Sequence, residues 1–295
     1  MRITRGTRVA AIAAAAALML AACGDDGGDD PDTGTDTGNG AEPAEPGDFP
    51  EGSTMARLVE EGSITIGTKF DQPLFGLQGP DGVPVGFDVS IGQIIADELG
   101  VEAEFVEAQT PQRENLIENG SVDIVVATYT INDTRKEVVD FAGPYYIAGQ
   151  SLMVLTDNTD INGPDDLAGK RVCSADGSTP AQNIAENYPE AELVTYGAYT
   201  DCLDPLLSGQ VDAVTTDNVI LAGYVDESPD DFKIVGDLFT EEPYGIGLAK
   251  GDDDFRTFIN DTLEAAYEDG RWEEAWESTA GAVLETPEPP AVDRY

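Results

Sequence analysis

The sequence predicts an α/β fold in which the sheets carry helices on both faces. Short β-branched runs alternate with amphipathic or capped helical segments from Ser63 to Thr279. The alternation begins again at about residue 151, so the same order of strand and helix is used twice. Sheets of this kind bind ligands beyond the carboxyl ends of their strands. About 230 foldable residues provide room for one large domain or for two lobes.

The elements of the first half follow from apolar spacing and from helix caps. Ser63–Phe70 has a strand pattern, and Gly100 ends a helix whose apolar stripe starts at Phe87. Thr110-Pro111 opens a second helix with a cap hydroxyl and a first-turn proline. The other elements of this half are predicted at Glu104–Glu107 (strand), Val122–Thr128 (buried strand) and Asn132–Val139 (helix).

The second half repeats this pattern with shorter elements. Short apolar runs predict the strands, and helical segments are predicted between them. Strands are predicted at Ser151–Leu155, Lys170–Ser174, Leu193–Val194, Asp212–Thr216, Lys233–Val235 and Tyr244–Ala249, and helices at Pro164–Leu167, Thr179–Asn187, Thr200–Leu207, Asn218–Val225, Asp254–Glu268 and Arg271–Thr279.

Residues 1–22 have the form of an export signal. Three arginines precede an apolar run over 9–22, which is too short to span a bilayer. The run ends in Leu-Ala-Ala before Cys23, and this junction resembles the lipobox of bacterial lipoproteins. An ordinary secretory signal with an incidental cysteine is the alternative. The lipobox predicts cleavage after residue 22 and acylation of Cys23, which would anchor the exported chain on the outer face of the bacterial cell membrane.

Two segments outside the α/β pattern are predicted to lack packed structure. Residues 23–50 hold the lipidated Cys23 and then an acidic stretch rich in Gly, Asp, Thr and Pro, which predicts a disordered linker. Residues 281–295 are also Pro-rich and predict a flexible tail.

The charge balance is strongly acidic. The chain has 15 Lys and Arg, 58 Asp and Glu and no His, for a formal net charge of -43. This charge disfavours nucleic acid and anionic membrane surfaces as partners, because phosphate groups would be repelled. A hydrated acidic surface explains most of it, and adaptation to a salty medium is a further reading. Basic residues are scarce, so each one near a strand end is a candidate for a functional role.

Two cysteines remain after Cys23. Cys173 and Cys202 form an even pair in an exported chain, which predicts a disulfide. Such a bridge would contribute about 3–4 kcal/mol by restricting the unfolded chain. A metal site is disfavoured because two thiols without histidine do not supply a ligand set, and a catalytic thiol would lack a His partner.

Three strand ends carry hydroxyl, glycine or charged residues at a helix start. If Asn132 caps the helix after Thr128–Ile131, then Arg135 lies in the first turn, where a cation opposes the helix dipole. An arginine beside free amides can clamp a carboxylate with both arms of its guanidinium. A solvated surface arginine is the alternative.

The other two strand ends are less specific. Ser178-Thr179-Pro180 places Thr179 as a cap, with hydroxyls and amides facing the helix start. Asp217 follows Thr215-Thr216 and is a cap candidate that could also accept hydrogen bonds from an ammonium group. Most sequences of these kinds only cap helices.

Several of these stretches resemble a known family. Thr128–Tyr146, Gly169–Ile184 and Val211–Tyr224 resemble the family 3 solute-binding proteins of polar amino-acid ABC importers. Ile66–Val89 and the cysteine pair resemble the glutamate-binding lipoproteins of actinobacteria within that family. The resemblance extends over about residues 51 to 280, with motifs of both halves in the family's order.

The resemblance implies a two-lobed, type II periplasmic-binding-protein-like fold. Lobe 1 would hold 51–147 and 245–280, and lobe 2 would hold 148–244. The two chain crossings, near Ile147–Ser151 and Thr240–Gly245, would form a two-strand hinge.

The family also implies a ligand-binding role for each matching position. Arg135 would bind the α-carboxylate from lobe 1, Thr128 and Thr130 would contact the α-amino group, Ser178 and Thr179 would close on the carboxylate from lobe 2, and Asp217 would pair with the ammonium. Asn132 stands where the family often has Thr, so a backbone contact is expected there and a hydroxyl contact is not.

The side-chain pocket implied by the family is basic. Lys69 at the end of the first strand and Arg113 in the helix opened by Thr110 match positions that face the distal carboxylate in acidic amino-acid binders. Gln72 is close to Lys69 and could add a hydrogen bond. The two carboxylates of glutamate would be paired with the cations Lys69, Arg113 and Arg135, and its ammonium with Asp217. Glutamine has no distal carboxylate and would leave a cation poorly paired.

The expected function is therefore capture of an acidic amino acid, L-glutamate above all, and its delivery to the transmembrane subunits of an ABC permease. The protein is expected to be a monomer without catalytic activity, cofactor, metal or nucleic-acid partner. Aspartate, glutamine and asparagine are the alternative ligands. A ligand-sensing domain and a dehydratase-like enzyme on the same fold are the alternative classes, although a chain without His and with no acid–base pair beyond Asp217 disfavours the enzyme.

Overall fold

The structure is a computed structural model that describes residues 49–295. The predicted signal peptide (1–22), Cys23 and the linker up to residue 48 lie outside the described residues. Within the described part, no helix is long and apolar enough to cross a bilayer. The strands are β1 (Ser63–Thr68), β2 (Asp71–Gln72), β3 (Gly76–Gln78), β4 (Pro84–Val85), β5 (Glu102–Glu107), β6 (Ile124–Val125), β7 (Asp140–Ala148), β8 (Gln150–Leu155), β9 (Arg171–Ala175), β10 (Glu192–Tyr196), β11 (Ala213–Asp217), β12 (Phe232–Val235) and β13 (Glu242–Leu248).

The α-helices connect these strands and cover the sheets. They are α1 (Thr54–Glu61), α2 (Phe87–Leu99), α3 (Arg113–Glu118), α4 (Asp133–Lys136), α5 (Thr179–Asn187), α6 (Leu203–Leu207), α7 (Asn218–Glu227), α8 (Asp253–Asp269) and α9 (Arg271–Glu277).

Two five-stranded mixed sheets organise the fold. The first has the order β5-β1-β6-β13-β7 and the second the order β10-β9-β11-β8-β12. In each sheet three strands are parallel, and the other two join in antiparallel pairing. A third sheet of three short strands, β2-β3-β4, lies between β1 and α2 in the chain. We call the part built on the first sheet, together with this small sheet, lobe 1, and the part built on the second sheet lobe 2. This arrangement confirms the predicted α/β class with two lobes.

The chain passes between the two sheets twice. The first passage lies between β7 and β8, and the second between β12 and β13. The two strands on the lobe 1 side of these passages pair with each other, with Ala148 opposite Glu242 and Tyr146 opposite Tyr244. The lobes are thus joined at neighbouring points, which keeps the carboxyl ends of their parallel strands facing one cleft.

Some predicted elements differ from the structure in instructive ways. Strand β7 was not predicted, because Pro144 inside an apolar run argues against a strand. Thr110 is not a helix cap: Gln109 takes that position before a short 3₁₀ turn. Ser178, and not Thr179, caps α5, and its hydroxyl accepts a hydrogen bond from the Ala181 amide. The predicted bounds of α5 and α2 are confirmed.

An aromatic cluster fills the core of lobe 1 under the cleft. Phe75 and Phe87 lie edge-on to several neighbouring rings, and Trp276 stacks on Tyr146 with ring centroids 4.9 Å apart. Burial of rings of this size dominates core energetics. The cluster consists of Phe75, Phe87, Tyr145, Tyr146, Tyr244, Trp272 and Trp276.

The expected flexible tail over 281–295 makes contacts along lobe 1. The Tyr295 hydroxyl accepts a hydrogen bond from the Phe141 amide at 2.9 Å. The Tyr295 ring also lies under the cations of Lys136 and Arg256, at 3.7 and 4.5 Å from the ring centroid. Arg294 in the tail also pairs with Asp261 and Glu264 of α8. The Pro-rich composition did not reveal these contacts because a few individual side chains make them with residues far away in the sequence.

The predicted disulfide between Cys173 and Cys202 is confirmed. It ties the middle of β9 to the 3₁₀ turn that precedes α6, and the two residues are 29 apart in sequence. Both cysteines are buried in the core of lobe 2.

Replacing both cysteines by alanine should lower the free energy of unfolding by about 3–4 kcal/mol, because the unfolded chain regains the entropy of a closed loop. Urea denaturation of the domain without Cys23 measures this change. A reducing agent should destabilise the parent domain and leave the double variant unaffected. Equal stability of parent and double variant under oxidising conditions would contradict the estimate.

Candidate functional site

Four strand ends meet at the cleft between the lobes. From lobe 1, β1 leads into Lys69, and the segment after β6 leads into Thr128 and Thr130. From lobe 2, β9 leads into the start of α5 at Ser178, and β11 ends on Asp217 at the start of α7. Sequence-predicted residues from distant parts of the chain are thereby brought to one place, as open α/β sheets require.

Three cations are buried on the lobe 1 side of the cleft. Lys69, Arg113 and Arg135 are only 2%, 3% and 7% exposed. The guanidinium carbons of the two arginines lie over the ring of Tyr129, at 4.2 and 4.9 Å from its centroid. A shared aromatic platform therefore holds both guanidinium groups close to each other.

Burial and mutual repulsion destabilise these charges. Burial, followed by repulsion from Arg113, lowers the pKa of Lys69 from 10.5 to about 7. The same two causes lower the pKa of Arg135 to about 10. Within residues 49–295 no ion pair joins Lys69 or Arg113 to a carboxylate, and Arg135 has Glu114 at 3.4 Å. An anion in the cleft would relieve this repulsion.

Neutral oxygen atoms hold two of the cations in place. The Lys69 ammonium donates to the Thr110 hydroxyl at 2.7 Å, which explains why Thr110 does not cap the helix. Arg113 Nη1 donates to the carbonyls of Ala127 and Thr128, at 3.0 and 3.3 Å. These bonds fix the orientation of the cations without neutralising them.

Arg135 reaches across the cleft. Its Nη1 donates to the Thr130 carbonyl at 2.6 Å, and its Nη2 donates to the Gly177 carbonyl of lobe 2 at 3.2 Å. Asn132 caps α4, and its side-chain oxygen accepts from the Arg135 amide at 2.8 Å. The cap therefore fixes the backbone that carries the guanidinium.

The polar residues of lobe 1 next to Lys69 form a second part of the site. Thr128 adopts a positive φ of 44°, a conformation that is strained for a β-branched residue. Its hydroxyl donates to the Gln72 side-chain oxygen at 2.9 Å. The Gln72 amide nitrogen is buried and has no hydrogen-bond partner among residues 49–295, so it is a donor with its capacity unused.

Lobe 2 contributes hydroxyl groups at the start of α5. The Ser178 hydroxyl donates to the Ala175 carbonyl at 2.7 Å while it caps the helix, so its bonding is local. The Thr179 hydroxyl donates to Glu242 at 2.7 Å and lies 3.4 Å from the Thr130 hydroxyl across the cleft.

Asp217 is the acceptor on the lobe 2 side. It stands at the cap position of α7, yet its side chain makes no capping bond. One carboxylate oxygen accepts from the Tyr244 hydroxyl at 2.6 Å, and the other is buried without a hydrogen-bond partner in the described part of the chain. Burial, with repulsion from Glu242, raises the pKa of Asp217 to about 7.

Sequence reasoning missed three residues at the cleft. Asp88 is fully buried, and its carboxylate accepts from the Thr128 amide at 2.7 Å and from the Tyr145 hydroxyl at 2.6 Å. Glu242 of β13 accepts the hydrogen bond from the Thr179 hydroxyl. Tyr199 is the third residue, and burial together with the nearby Asp217 charge raises its pKa to about 12. An acidic residue inside the apolar stripe of α2 was the available signal for Asp88.

The cleft places several hydrogen-bond donors opposite Asp217, which has one carboxylate oxygen without a hydrogen-bond partner in the described chain. Lobe 1 presents cations and an amide donor, and lobe 2 presents helix-start hydroxyls and Asp217. Such a set is suited to a small zwitterion that carries additional negative charge.

Two α/β lobes joined at neighbouring points, with polar strand ends facing one cleft, define a bilobed ligand-binding protein. The sequence profile described as "Bacterial extracellular solute-binding proteins, family 3" matches residues 64–279. The chain belongs to this family, which confirms the resemblance in its sequence motifs.

Individual relatives agree with this assignment. The chain is 42% identical over 240 residues to "Glutamate-binding protein GluB" of Corynebacterium efficiens, covering 77% of this chain and 82% of the relative. It is 38% identical over 264 residues to "ABC transporter glutamine-binding protein GlnH" of Bacillus subtilis, covering 88% and 91%. The solved structure "An ancestral arginine-binding protein bound to glutamine" superposes with a TM-score of 0.71 at 35% identity, covering 74% of this chain and 97% of that one.

Replacing Asn132 by alanine should lower the free energy of unfolding by about 1 kcal/mol, because the Arg135 amide loses its capping acceptor. Replacement by threonine keeps a capping oxygen and should recover most of that loss. Urea denaturation of the two variants measures the difference. A threonine variant as unstable as the alanine variant would contradict the capping role.

Proposed function

We propose that this protein binds an acidic amino acid, with L-glutamate as the preferred ligand. One observation supports the proposal above the others: Lys69, Arg113 and Arg135 are buried together, and burial with repulsion from Arg113 lowers the pKa of Lys69 and of Arg135. Among residues 49–295, Lys69 and Arg113 have no ion pair with a carboxylate, and such buried cations are costly unless an anionic ligand completes them. The name of the glutamate-binding relative agrees with this ligand, whereas that of the glutamine-binding relative agrees with the neutral alternative.

The ends of the amino acid would be bound by different lobes. Arg135 would take the α-carboxylate, with the Ser178 and Thr179 end of α5 closing on it. Asp217 would accept from the α-ammonium through its unpartnered oxygen, with Thr130 as a second acceptor. Thr128 and Asn132 would act mainly through the backbone, because their side chains bond to Gln72 and to the Arg135 amide.

The distal group of the ligand would lie against Lys69, Arg113 and Gln72. The Gln72 amide nitrogen has its bonding capacity unused, and the Lys69 ammonium has a single hydrogen bond within the described chain. All three residues offer donors at this point, so a distal carboxylate fits better than a carboxamide, whose NH₂ group needs acceptors. This contrast favours glutamate over glutamine.

Binding would occur without chemical change to the ligand. Lobe 2 would close on lobe 1, and the closed monomer would deliver the amino acid to an ABC permease. Export by residues 1–22 and acylation of Cys23 would keep the protein on the outer face of the membrane.

Replacing Arg135 by alanine should abolish binding of every α-amino acid, because every ligand of this class carries the α-carboxylate. Replacing Lys69 by methionine should weaken glutamate binding by about 100-fold or more and change glutamine binding by less than about tenfold, because only glutamate leaves an unpaired buried charge. Titration calorimetry of the mature domain with both ligands measures these changes.

Equal losses for glutamate and glutamine in the Lys69 variant would contradict the distal-carboxylate assignment. A thermal-shift screen across the twenty amino acids should give the largest shift with glutamate. A larger shift with aspartate, glutamine or asparagine would redirect the ligand, and turnover of a bound acid detected by NMR would indicate an enzyme.

The affinity for glutamate should be greatest near pH 7. Above this pH the free Lys69 side chain, whose pKa is about 7, loses its proton, so binding must take up a proton and weakens as pH rises. Below it the free Asp217 carboxyl, whose pKa is also about 7, is protonated, so pairing with the ammonium must release a proton and weakens as pH falls. Calorimetry in buffers of different ionisation enthalpy measures both proton counts.

Two comparisons make the pH test specific. Glutamine affinity should show the fall at low pH without the fall at high pH, because glutamine does not need a charged Lys69. Replacing Lys69 by arginine should remove the fall at high pH for glutamate. The same fall at high pH for both ligands in the parent protein would contradict the role given to Lys69.

A further inference from the structure

A second set of contacts crosses the cleft away from the proposed ligand groups. On lobe 1 these contacts involve β2 and the residue that follows it, Asp71 and Pro73. On lobe 2 they involve Thr200, in the turn before α6, and Gly223 and Tyr224 of α7. None of these residues belongs to the set proposed above to contact the amino acid.

Asp71 is held twice from lobe 2. The Tyr224 hydroxyl donates to the Asp71 carbonyl at 3.1 Å, and the Thr200 hydroxyl donates to the Asp71 carboxylate at 3.4 Å. Tyr224 is 1% exposed, and burial, with the nearby Asp71 charge, raises the pKa of Tyr224 well above its ordinary value. The hydroxyl therefore remains a donor throughout the neutral range.

The absence of a side chain at Gly223 allows this approach. A Cβ atom at Gly223 would lie 2.8 Å from the Pro73 carbonyl oxygen, a backbone atom that cannot move aside by rotating. Because Gly223 lies inside α7, where glycine disfavours the helix, its presence is consistent with a need for close packing between the lobes.

We infer that Asp71, Pro73, Thr200, Gly223 and Tyr224 form a closure latch, which sets the affinity for the amino acid without contacting it. The inference rests on the proposed function as an amino-acid binder. Apparent affinity falls in proportion to the fraction of protein that can occupy the closed form. Contacts between the lobes are lost when the lobes separate, so these contacts raise the fraction of free protein in the closed form. Because this fraction is a property of the free protein, every ligand gains the same factor in affinity, and the selectivity between ligands is unchanged.

The test compares two tyrosine-to-phenylalanine variants of the mature domain. Tyr224→Phe should weaken both glutamate and glutamine by about three- to tenfold, the effect of one neutral hydrogen bond, with the change in the dissociation rate. Tyr267→Phe is the matched control: its hydroxyl also donates to a carbonyl at 3.1 Å, that of Pro144, but within lobe 1. It should leave both affinities unchanged.

A second variant tests the same contact sterically. Gly223→Ala should weaken both ligands by about tenfold or more, because the added methyl group holds the lobes apart. Small-angle scattering of the ligand-saturated variant should give a larger radius of gyration than that of the parent.

The outcomes separate the latch from the binding proposal. If the parent protein binds no amino acid, the proposed function fails and the latch fails with it. If the parent binds and Tyr224→Phe matches Tyr267→Phe, the latch alone is overturned. A changed ratio of glutamate to glutamine affinity in Tyr224→Phe would also overturn it, because that result would mean that Tyr224 senses the ligand side chain.

Discussion

The structure depends above all on the burial of Lys69, Arg113 and Arg135 at the end of one sheet. Burial removes water from these cations, and repulsion from Arg113 lowers the pKa of Lys69 and of Arg135. The fold offsets part of this cost with carbonyl oxygens and the Tyr129 ring, which are neutral. Arg135 has the Glu114 carboxylate at 3.4 Å, but the other compensating groups are neutral, so the three cations keep a net positive charge.

The surrounding fold maintains this charge separation. Asp88 is a fully buried carboxylate close to Lys69 and Arg113, and burial raises its pKa to about 7. Its two carboxylate oxygens accept hydrogen bonds from the Thr128 amide and the Tyr145 hydroxyl. Asp88 thereby holds the strained Thr128 backbone in position while the aromatic cluster below resists rearrangement. Asp217, the proposed partner of the ligand ammonium, lies on the other lobe at the end of β11.

The sequence was sufficient for the alternation of strands and helices, the disulfide and the family, because these follow from local patterns and motifs. It was insufficient where a long-range contact overrides a local rule. Thr110 has the sequence of a helix cap, yet its hydroxyl accepts from Lys69. Asp217 has the position of a cap, yet it bonds to Tyr244 from a distant strand. The nine-residue strand β7 was not predicted because it contains Pro144, yet it pairs with β13, which lies about a hundred residues further along the chain.

The acidic surface and the basic cleft act over different distances. A body with a formal net charge of -43 repels an anionic ligand, but salt screens that repulsion beyond about 8 Å at physiological ionic strength. The cations in the cleft are buried and are screened much less, so they act mainly on a ligand that has already entered. Under the proposed function, long-range repulsion would affect the rate of capture, whereas the buried charges would determine which ligand is retained and the closure latch for how long. Such a division of roles would let the acidity of the surface change without changing the chemistry of the site.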